Sequence, residues 1–298
     1  MTRSDELALA FNAARPRLVS IAYAILGSHA EAEDVVADTW LRLVNADAKA
    51  TVRDVNGWAT VAVGRAALDA YRSARMRREL YVGPWLPEPR VAADTPADPA
   101  DRVTLDDQVS FAMLVVLESL TPAERTAWVL HDLFGLSFTE VAEAVGRRPD
   151  AVRQLAARAR GRLRESAPRM PVDAGEQARA VSGFLAAARG GDLSALIAVL
   201  DPQVTLTSDG GGQVSAARRP VYGADRVARF VLGLTGKSTD EQIRLVFVNG
   251  DLGIGLFRGD TMSGVVSLTV TSGRITRVDF VRAPDKLRNA TSWSDKHT

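Results

Sequence analysis

The chain has 298 residues, of which 46% are hydrophobic and 24% are charged, and its 37 Lys and Arg residues nearly balance its 36 Asp and Glu residues. This composition is typical of a globular protein of two or three domains and excludes a chain kept unfolded by its own net charge. Cysteine is absent, which excludes disulfides, thiolate zinc sites and cysteine nucleophiles and fits a reducing compartment. The longest apolar run, Phe111 to Leu117, is far below the roughly 20 residues that span a bilayer, and the N-terminus lacks a signal-peptide core. We therefore expect a cytoplasmic protein that makes no membrane contact.

Residues 5 to 80 are predicted to form three helices. The first ends at Gly27, and the second begins at Ser28, whose capping box with Glu31 is a start signal. A polar loop, Asn45 to Asn56, precedes a third helix that begins near Trp58. Helical spacing predicts that the inner stripe of the second helix contains Val36, Trp40, Leu43 and Val44. Core packing is favoured over partner contacts for Trp40, Trp58 and Tyr71.

Basic residues are concentrated in two segments of the chain. Residues 65–78 contain five arginines and one acid, and residues 147–169 contain eight arginines and two acids. Between them, residues 81–107 carry two arginines and six acids, and their many prolines predict an extended linker. A solvated helix face is the favoured explanation for a single arginine cluster, but two such clusters joined by one tether indicate two contacts with one nucleic acid.

A helix-turn-helix is predicted in residues 108–168. Helices resume at about 103 to 118, and capping boxes that begin at Thr121 and Ser137 each start a further helix. A turn at Gly146 separates the Ser137 helix from a basic helix that begins at Pro149. A plain pair of packed helices is the alternative. Recognition of DNA is favoured because basic and amide side chains lie at the start of the second helix: Arg147, Arg148, Arg153, Gln154 and Arg158.

After Pro171 the pattern changes to that of an α+β domain over residues 175–290. Two helices, at about 175–190 and 192–199, precede strands that alternate between apolar and polar residues. The Asn249-Gly250 pair predicts a hairpin turn between two of these strands. About 115 residues are enough for a separate core, so we expect an appended sensor or regulatory domain.

The first 168 residues contain, in order, segments that resemble extracytoplasmic-function sigma factors. Residues 32–43 (AEDVVADTWLRL) resemble the helix of region 2 that docks on RNA polymerase, and residues 58–78 resemble the part of region 2 that contacts the −10 promoter element. Residues 121–125 (TPAER), 137–146 and 152–160 resemble region 4, which reads the −35 element. The resemblance implies two all-α sigma domains, over residues 1–80 and 108–168, joined by the 81–107 linker.

The rest of the chain resembles a subgroup of these sigma factors that carries a fused SnoaL-like domain of the NTF2-like cone fold. The resemblance is carried by three short motifs: Trp85-Leu86-Pro87-Glu88-Pro89, Asp209-Gly210-Gly211-Gly212 and Pro284-Asp285-Lys286-Leu287. It implies that the cone domain regulates the sigma factor in cis, through contacts between the linker motif and the other two. Because its prolines hold Trp85 and Leu86 extended, these two residues are an exposed apolar anchor unless another surface covers them.

The resemblance also assigns roles to residues that the composition alone leaves open. On the polar face of the docking helix it implies polymerase contacts for Asp34, Asp38 and Arg42, for which a solvated face is the alternative. It implies that the Asn45–Asn56 loop captures an unstacked base of the −10 element. The implied −10 contacts are Arg65, Arg72, Arg75, Arg77 and Arg78. The implied −35 contacts are the five helix-start residues named above, with phosphate and base contacts not distinguished.

We expect no catalysis, no cofactor and no metal site. None of the three histidines, His29, His131 and His297, falls within the predicted core of the cone, and Asp209, Asp225 and Asp279 are its possible acids. Asp225 is equally explained as a helix N-cap. The expected partners are core RNA polymerase and promoter DNA, with a small-molecule ligand of the cone left open. The alternative functions are a ligand-responsive helix-turn-helix regulator that acts without polymerase and, less favoured, an enzyme of the SnoaL type.

Overall fold

The structure is a computed structural model that describes residues 2–78, 81, 83–92, 109–166, 173–235 and 241–288. The described residues form two compact units. The N-terminal unit contains residues 2–78, 109 and 113–166, and the C-terminal unit contains the remainder. Within these ranges, no helix has the length and apolar character needed to cross a membrane.

Helices build the N-terminal unit, and their ends follow local signals in the sequence. Thr121 and Ser137 form the predicted reciprocal capping boxes with Glu124 and Glu140, and Gly27 adopts the left-handed conformation that ends the first helix. A π-helical turn, Val129–Leu133, lies within the predicted helix-turn-helix region. The helices are α1 (Arg3–Leu26), α2 (His29–Lys49), α3 (Val55–Arg78), α4 (Phe111–Leu117), α5 (Pro122–Trp128), α6 (Phe138–Val145) and α7 (Pro149–Ser166).

Two details of the predicted α2 region are wrong. Val44 does not belong to the inner stripe, because its side chain is 40% exposed, whereas Val36 and Leu43 are fully buried. The predicted Asn45–Asn56 loop is shorter, since α2 continues to Lys49. Trp40 is partly buried against the core, with its ring centroid 5.3 Å from that of Phe11.

The N-terminal unit has one continuous hydrophobic core. Leu18 and Ile21 of α1 belong to the same buried cluster as Leu130 and as Val152 of α7. Trp58 packs at the edge of this core, and Tyr71 is buried in it, as core packing predicts. The helices of the two predicted sigma domains therefore pack together rather than forming separate cores.

The C-terminal unit has the predicted α+β architecture. Helices α8 (Ala174–Gly190), α9 (Leu193–Val199) and α10 (Ala224–Thr235) share a buried cluster with the sheet, and a short α11 (Pro284–Leu287) follows the last strand. Asn249 and Gly250 both have positive φ in the predicted hairpin turn. The strands are β1 (Val91–Ala92), β2 (Leu200–Asp209), β3 (Val221–Tyr222), β4 (Gln242–Val248), β5 (Asp251–Arg258), β6 (Thr261–Thr271) and β7 (Arg274–Val281).

One sheet contains all seven strands in the order β1-β4-β5-β6-β7-β2-β3. All neighbours are antiparallel except β2 and β7, which run parallel and thereby place the end of β2 beside the end of β7. The first strand, β1, comes from the predicted linker and pairs with β4 at the edge of the sheet. The described part of the linker is therefore a strand and a docked segment of the C-terminal unit, not a free tether.

Candidate nucleic-acid interfaces and the linker-docking site

The start of α7 presents an exposed basic surface. Gly146 ends α6 in the left-handed conformation, and the chain then turns directly into α7. Arg153 donates to Asp150 at 2.7 Å and lies 5.2 Å from the centroid of the Phe138 ring, so two contacts hold its guanidinium. The predicted −35 residues are all exposed: Arg147, Arg148, Arg153, Gln154 and Arg158.

Glu124, at the start of α5, forms ion pairs with two arginines of α7. Its side chain is only 5% exposed, and its carboxylate lies 3.0 Å from Arg162 and 3.5 Å from Arg158. Burial raises the pKa of Glu124, but hydrogen bonds from Thr121 and the two arginines outweigh burial and lower the pKa overall. Arg158 is thus a partner of Glu124 as well as an exposed cation.

Of the predicted −10 residues, the structure describes two side chains. Arg65 donates a hydrogen bond to the backbone carbonyl of Glu143 in α6, and Arg72 lies 3.3 Å from Asp69. Arg65 also lines a surface depression together with Arg147 and Arg148, so the structure brings residues predicted for two promoter elements to one place. The side chains of three further predicted residues lie outside the described part of the structure: Arg75, Arg77 and Arg78.

Sequence reasoning missed Arg125, which is fully buried between α1, α3 and α5. Its guanidinium donates to the carbonyl of Ala24 at 3.0 Å and to the hydroxyl of Tyr71 at 3.1 Å, and it pairs with Glu118. Burial lowers the pKa of Arg125, but Glu118 and Tyr71 together outweigh burial and raise the pKa overall. The TPAER motif predicts a helix start, and nothing in it indicates that its arginine is buried.

The polar face of α2 is exposed as predicted, but it also contains apolar side chains. Asp34, Asp38 and Arg42 follow one another at intervals of four residues and are all exposed. Leu41, on the same face, is 60% exposed, and Val44 is 40% exposed beside it. The face therefore combines charged groups with some exposed aliphatic area.

Asp209, the last residue of β2, is the centre of the linker-docking site. Its side chain is fully buried and accepts hydrogen bonds from the Tyr81 hydroxyl at 2.6 Å and from the Leu86 amide at 2.8 Å. Lys286 adds an ion pair at 2.6 Å, and the Gly211 amide donates at 2.9 Å. Three of these donors come from the linker and the end of the chain, so one carboxylate joins the three sequence motifs.

Lys286 links the same segments a second time. Its ammonium lies 4.0 Å from the centroid of the Trp85 ring and 5.3 Å from that of Tyr81, and it also donates to the Leu86 carbonyl. Leu86 is 1% exposed. The predicted apolar anchor is therefore covered within the C-terminal unit. The linker residues that follow it are buried as well: Pro87, Glu88 and Pro89.

The glycines after Asp209 allow this close packing. A Cβ on Gly210 would lie 2.2 Å from the carbonyl oxygen of Val214, and Gly211 and Gly212 both have positive φ. Asp285 accepts a hydrogen bond from Gln213 at 2.6 Å, which ties α11 to this turn. Leu287 is buried at the end of α11.

A second set of contacts holds the linker at its other end. The Arg90 amide donates to the Asn249 side chain at 3.0 Å, and the Asn249 amide donates to the Arg90 carbonyl at 2.8 Å. Asn249 is the turn residue that the hairpin pattern predicts. Its role as a partner of the linker has no signal in the sequence.

The other two possible acids of the domain have structural partners. Asp279 is buried and pairs with Arg277 at 2.8 Å; burial raises its pKa despite the arginine. Asp225 lies in the first turn of α10, which begins at Ala224, so the N-cap interpretation is wrong. Its partner is Arg229, at 3.0 Å.

Two protein-family models match the N-terminal unit. Residues 10–77 match Sigma-70 region 2, and residues 110–163 match Sigma-70 region 4. These matches cover most of α3 and most of α7, the helices in which most of the two arginine clusters fall.

Similarity to individual proteins extends over nearly the whole chain. The ECF RNA polymerase sigma factor SigJ of Mycobacterium tuberculosis is 39% identical over 93% of this chain and 91% of its own length. A probable ECF RNA polymerase sigma factor of the same species, SigI, is 34% identical over 96% and 97%. The crystal structure of Mycobacterium tuberculosis SigJ superposes with a TM-score of 0.74 and 36% identity, covering 94% of this chain and 98% of that one. The chain therefore belongs to the family of ECF RNA polymerase sigma factors, as an alternative sigma factor with a C-terminal α+β domain.

Proposed function

We propose that this sigma factor binds core RNA polymerase and directs initiation at promoters whose −10 and −35 elements it reads, and that its C-terminal domain regulates it in cis. The proposed boundaries are region 2 over residues 1–80, region 4 over residues 108–168 and the regulatory domain over residues 175–290. The linker residues 81–107 connect these parts, and residues 81 and 83–92 belong physically to the regulatory domain.

The exposed face of α2 is the proposed polymerase contact. Asp34, Asp38 and Arg42 supply charge for orientation, and Leu41 supplies apolar area that becomes buried on binding. The family membership supports this assignment over a plain solvated face, because a sigma factor requires a surface for the polymerase.

Promoter DNA is the proposed ligand of α7 and α3. Arg147 and Arg148 directly precede α7, and Arg153 and Gln154 lie near its start, the part of a recognition helix that enters the major groove. Arg158 lies about one turn further along. The arginines neutralise phosphates or bind guanine, and an amide such as Gln154 suits adenine. On α3, Arg65 and Arg72, with Arg75, Arg77 and Arg78, are proposed for the −10 element.

Regulation in cis is supported by one observation above the others, the buried carboxylate of Asp209. It accepts from the linker at Tyr81 and Leu86 and pairs with Lys286. A buried charge that loses its partners is strongly destabilising, so the linker and the domain hold each other in one arrangement. Since the linker also connects regions 2 and 4, docking limits how far the two DNA-reading regions can separate. The regulatory contacts we propose are Trp85–Pro89, Asp209–Gly212 and Asp285–Leu287.

We propose that the regulatory domain does no covalent chemistry. The sigma factor family is not enzymatic, and the acids Asp209, Asp225 and Asp279 are each engaged by a basic partner. A small-molecule ligand is a separate question, considered in the next section.

Transcription in vitro tests the proposal. The protein and core polymerase are incubated with a promoter library, and the transcripts are sequenced; we expect initiation at one class of promoter. Trp85→Ala and Asp209→Asn should change transcript yield at those promoters several-fold, because both loosen the docked linker. Val214→Ala, at an exposed position near the same turn, is the matched control and should leave yield unchanged. Absence of specific initiation refutes the sigma-factor assignment for this chain, and wild-type yield from both linker-site variants refutes regulation through the linker.

A further inference from the structure

A cavity of about 590 Å³ lies in the C-terminal unit, between the helices and the sheet. Its volume lies within the range of small-molecule sites in proteins. Apolar side chains from α8, α10 and five strands form most of its wall, including Phe184, Leu206, Val231, Ile254 and Phe280. Asp209, Asp225 and Asp279 do not line this cavity.

The polar end of the cavity is formed by Arg282 and Glu241. The Glu241 side chain is 5% exposed and is already engaged, since it accepts from Ser263 at 3.1 Å and pairs with Arg258 at 3.0 Å. Arg282 donates to the Ser215 carbonyl at 3.2 Å and lies 3.9 Å from Glu241, and its side chain, which is 18% exposed, lines the cavity. A guanidinium has five N–H donors, so Arg282 keeps donors for an acceptor group on a ligand.

The charges at the polar end favour an anion. Arg189 and Arg282 line the cavity with two positive charges against the single negative charge of Glu241, which Arg258 already pairs from outside the cavity wall. A carboxylate that accepts from Arg282 would make a charge-assisted hydrogen bond, which is stronger than a bond to a neutral acceptor.

We propose that this cavity binds an amphipathic carboxylic acid, with its apolar body against the helices and sheet and its carboxylate on Arg282. The backbone of Arg282 also connects the cavity to the linker-docking site. Its amide donates to the Asp209 carbonyl at 2.7 Å, and the Ala283 amide donates to the same oxygen at 3.0 Å. The residue that binds the ligand is therefore hydrogen-bonded to Asp209, whose side chain accepts from Tyr81 and Leu86. We expect a ligand bound to Arg282 to stabilise the docked linker. This consequence rests on the proposed regulation in cis; the binding site itself does not.

The test uses the full chain and three probes with the same alkyl body, at concentrations below micelle formation. Dodecanoate, dodecanol and dodecylamine are compared by isothermal titration calorimetry. We expect dodecanoate to bind at a ratio of one to one, dodecanol more weakly and dodecylamine most weakly. Arg282→Gln should weaken dodecanoate about tenfold or more while changing dodecanol much less. Arg226→Gln, an exposed arginine on α10, is the matched control and should bind dodecanoate like the wild type.

A second variant tests the apolar wall. Leu232→Trp places a larger side chain in the cavity and should abolish binding of dodecanoate and dodecanol alike. Circular dichroism checks its folding, and if it does not fold, the comparison of the two arginine variants decides. Absence of saturable binding to the wild type overturns the proposal, as does equal dodecanoate affinity in the wild type and Arg282→Gln.

Amide hydrogen exchange separates ligand binding from regulation. Bound dodecanoate should slow exchange of the Leu86 amide several-fold, because that amide donates to Asp209. If dodecanoate binds through Arg282 while linker variants leave transcription unchanged, the cavity site stands and regulation in cis fails. If linker variants change transcription while no probe binds, regulation stands and the cavity site fails.

Discussion

Arg125 and Asp209 are buried charges, one in each unit, and each holds segments that are distant in the chain in one arrangement. Burying a charge costs roughly several kcal/mol of desolvation free energy per ion. Each buried charge therefore needs hydrogen-bonding or oppositely charged partners that offset this cost. Arg125 has Glu118, Tyr71 and the Ala24 carbonyl, and Asp209 has Lys286 together with neutral donors. Such pairs add little net stability compared with apolar packing, but they strongly disfavour any arrangement that separates the partners.

Glu124 gives a stability prediction with a defined pH dependence. Its pKa in the folded protein is below its usual value of 4.5, so its contribution to stability is present above that pH and is lost as the pH falls through the folded pKa. Glu124→Gln should therefore destabilise the N-terminal unit by about 1–2 kcal/mol at pH 7, and the difference from the wild type should shrink below pH 4.5.

Urea unfolding at pH 7 and at pH 3.5 measures this change. Asp150→Asn is the control, because its ion pair with Arg153 is exposed and should contribute less than about 1 kcal/mol at either pH. If Glu124→Gln lowers the free energy of unfolding as much at pH 3.5 as at pH 7, the lowered pKa of Glu124 does not contribute to stability.

Among the secondary-structure elements, those with local start and stop signals were predictable. The helices after Thr121 and Ser137 and the hairpin at Asn249 depend on residues within about four positions, and all three are confirmed. The extension of α2 beyond Asn45 was missed because a contact distant in the chain stabilises it. Asp47 pairs with Arg3 at 2.7 Å and accepts from the Val52 amide at 2.8 Å.

The exposed face of α2 leads to a prediction about polymerase binding. Leu41→Ser should weaken binding to core polymerase about tenfold or more, because it removes apolar area at the proposed interface without opening the core. Leu9→Ser on α1 is a matched control, since Leu9 and Leu41 are both 60% exposed. Fluorescence anisotropy with labelled protein measures both affinities. Equal affinities of the two variants would place the polymerase contact elsewhere.

Within the N-terminal unit, the residues proposed to read the −10 and −35 elements are too close together to contact both elements of one promoter at once. Arg65 and Arg147 line one depression, whereas elements at −10 and −35 are separated by about 25 base pairs, or about 85 Å at 3.4 Å per base pair. We therefore expect α3 and α6 to separate when the sigma factor binds promoter DNA. The contacts of Arg65 with Glu143 and of Arg125 with α1 and α3 must then break.

A disulfide across this interface tests the separation. A Cβ on Gly64 would lie 3.4 Å from the Cβ of Ala144, close to the spacing in disulfides, and the chain has no other cysteine. The double variant Gly64→Cys, Ala144→Cys should lose promoter-specific transcription when oxidised and regain it when reduced.

The single variant Gly64→Cys controls for crowding, because the added Cβ would also lie 2.9 Å from the flexible end of Leu130. Its activity should not depend on the oxidation state. Full activity of the oxidised double variant would show that the closed arrangement is compatible with initiation.

Several features were readable from the amino-acid sequence: the capped helix starts, the α+β character of the C-terminal domain, the two arginine clusters and the resemblance to sigma factors. These features follow from residues that are neighbours in the chain or from motifs in a fixed order. Other features depend on packing between distant segments: the burial of Arg125, the contact of Arg65 with α6, the strand formed by the linker and the hydrogen bond from Tyr81 to Asp209. Tyr81 and Asp209 are 128 positions apart, and no periodicity or local propensity specifies which side chains meet across such a separation. The parallel pairing of β2 and β7 places Asp209 beside Val281, and the pairing of β1 with β4 attaches the linker to the same sheet. Neither arrangement exists until the sheet has formed.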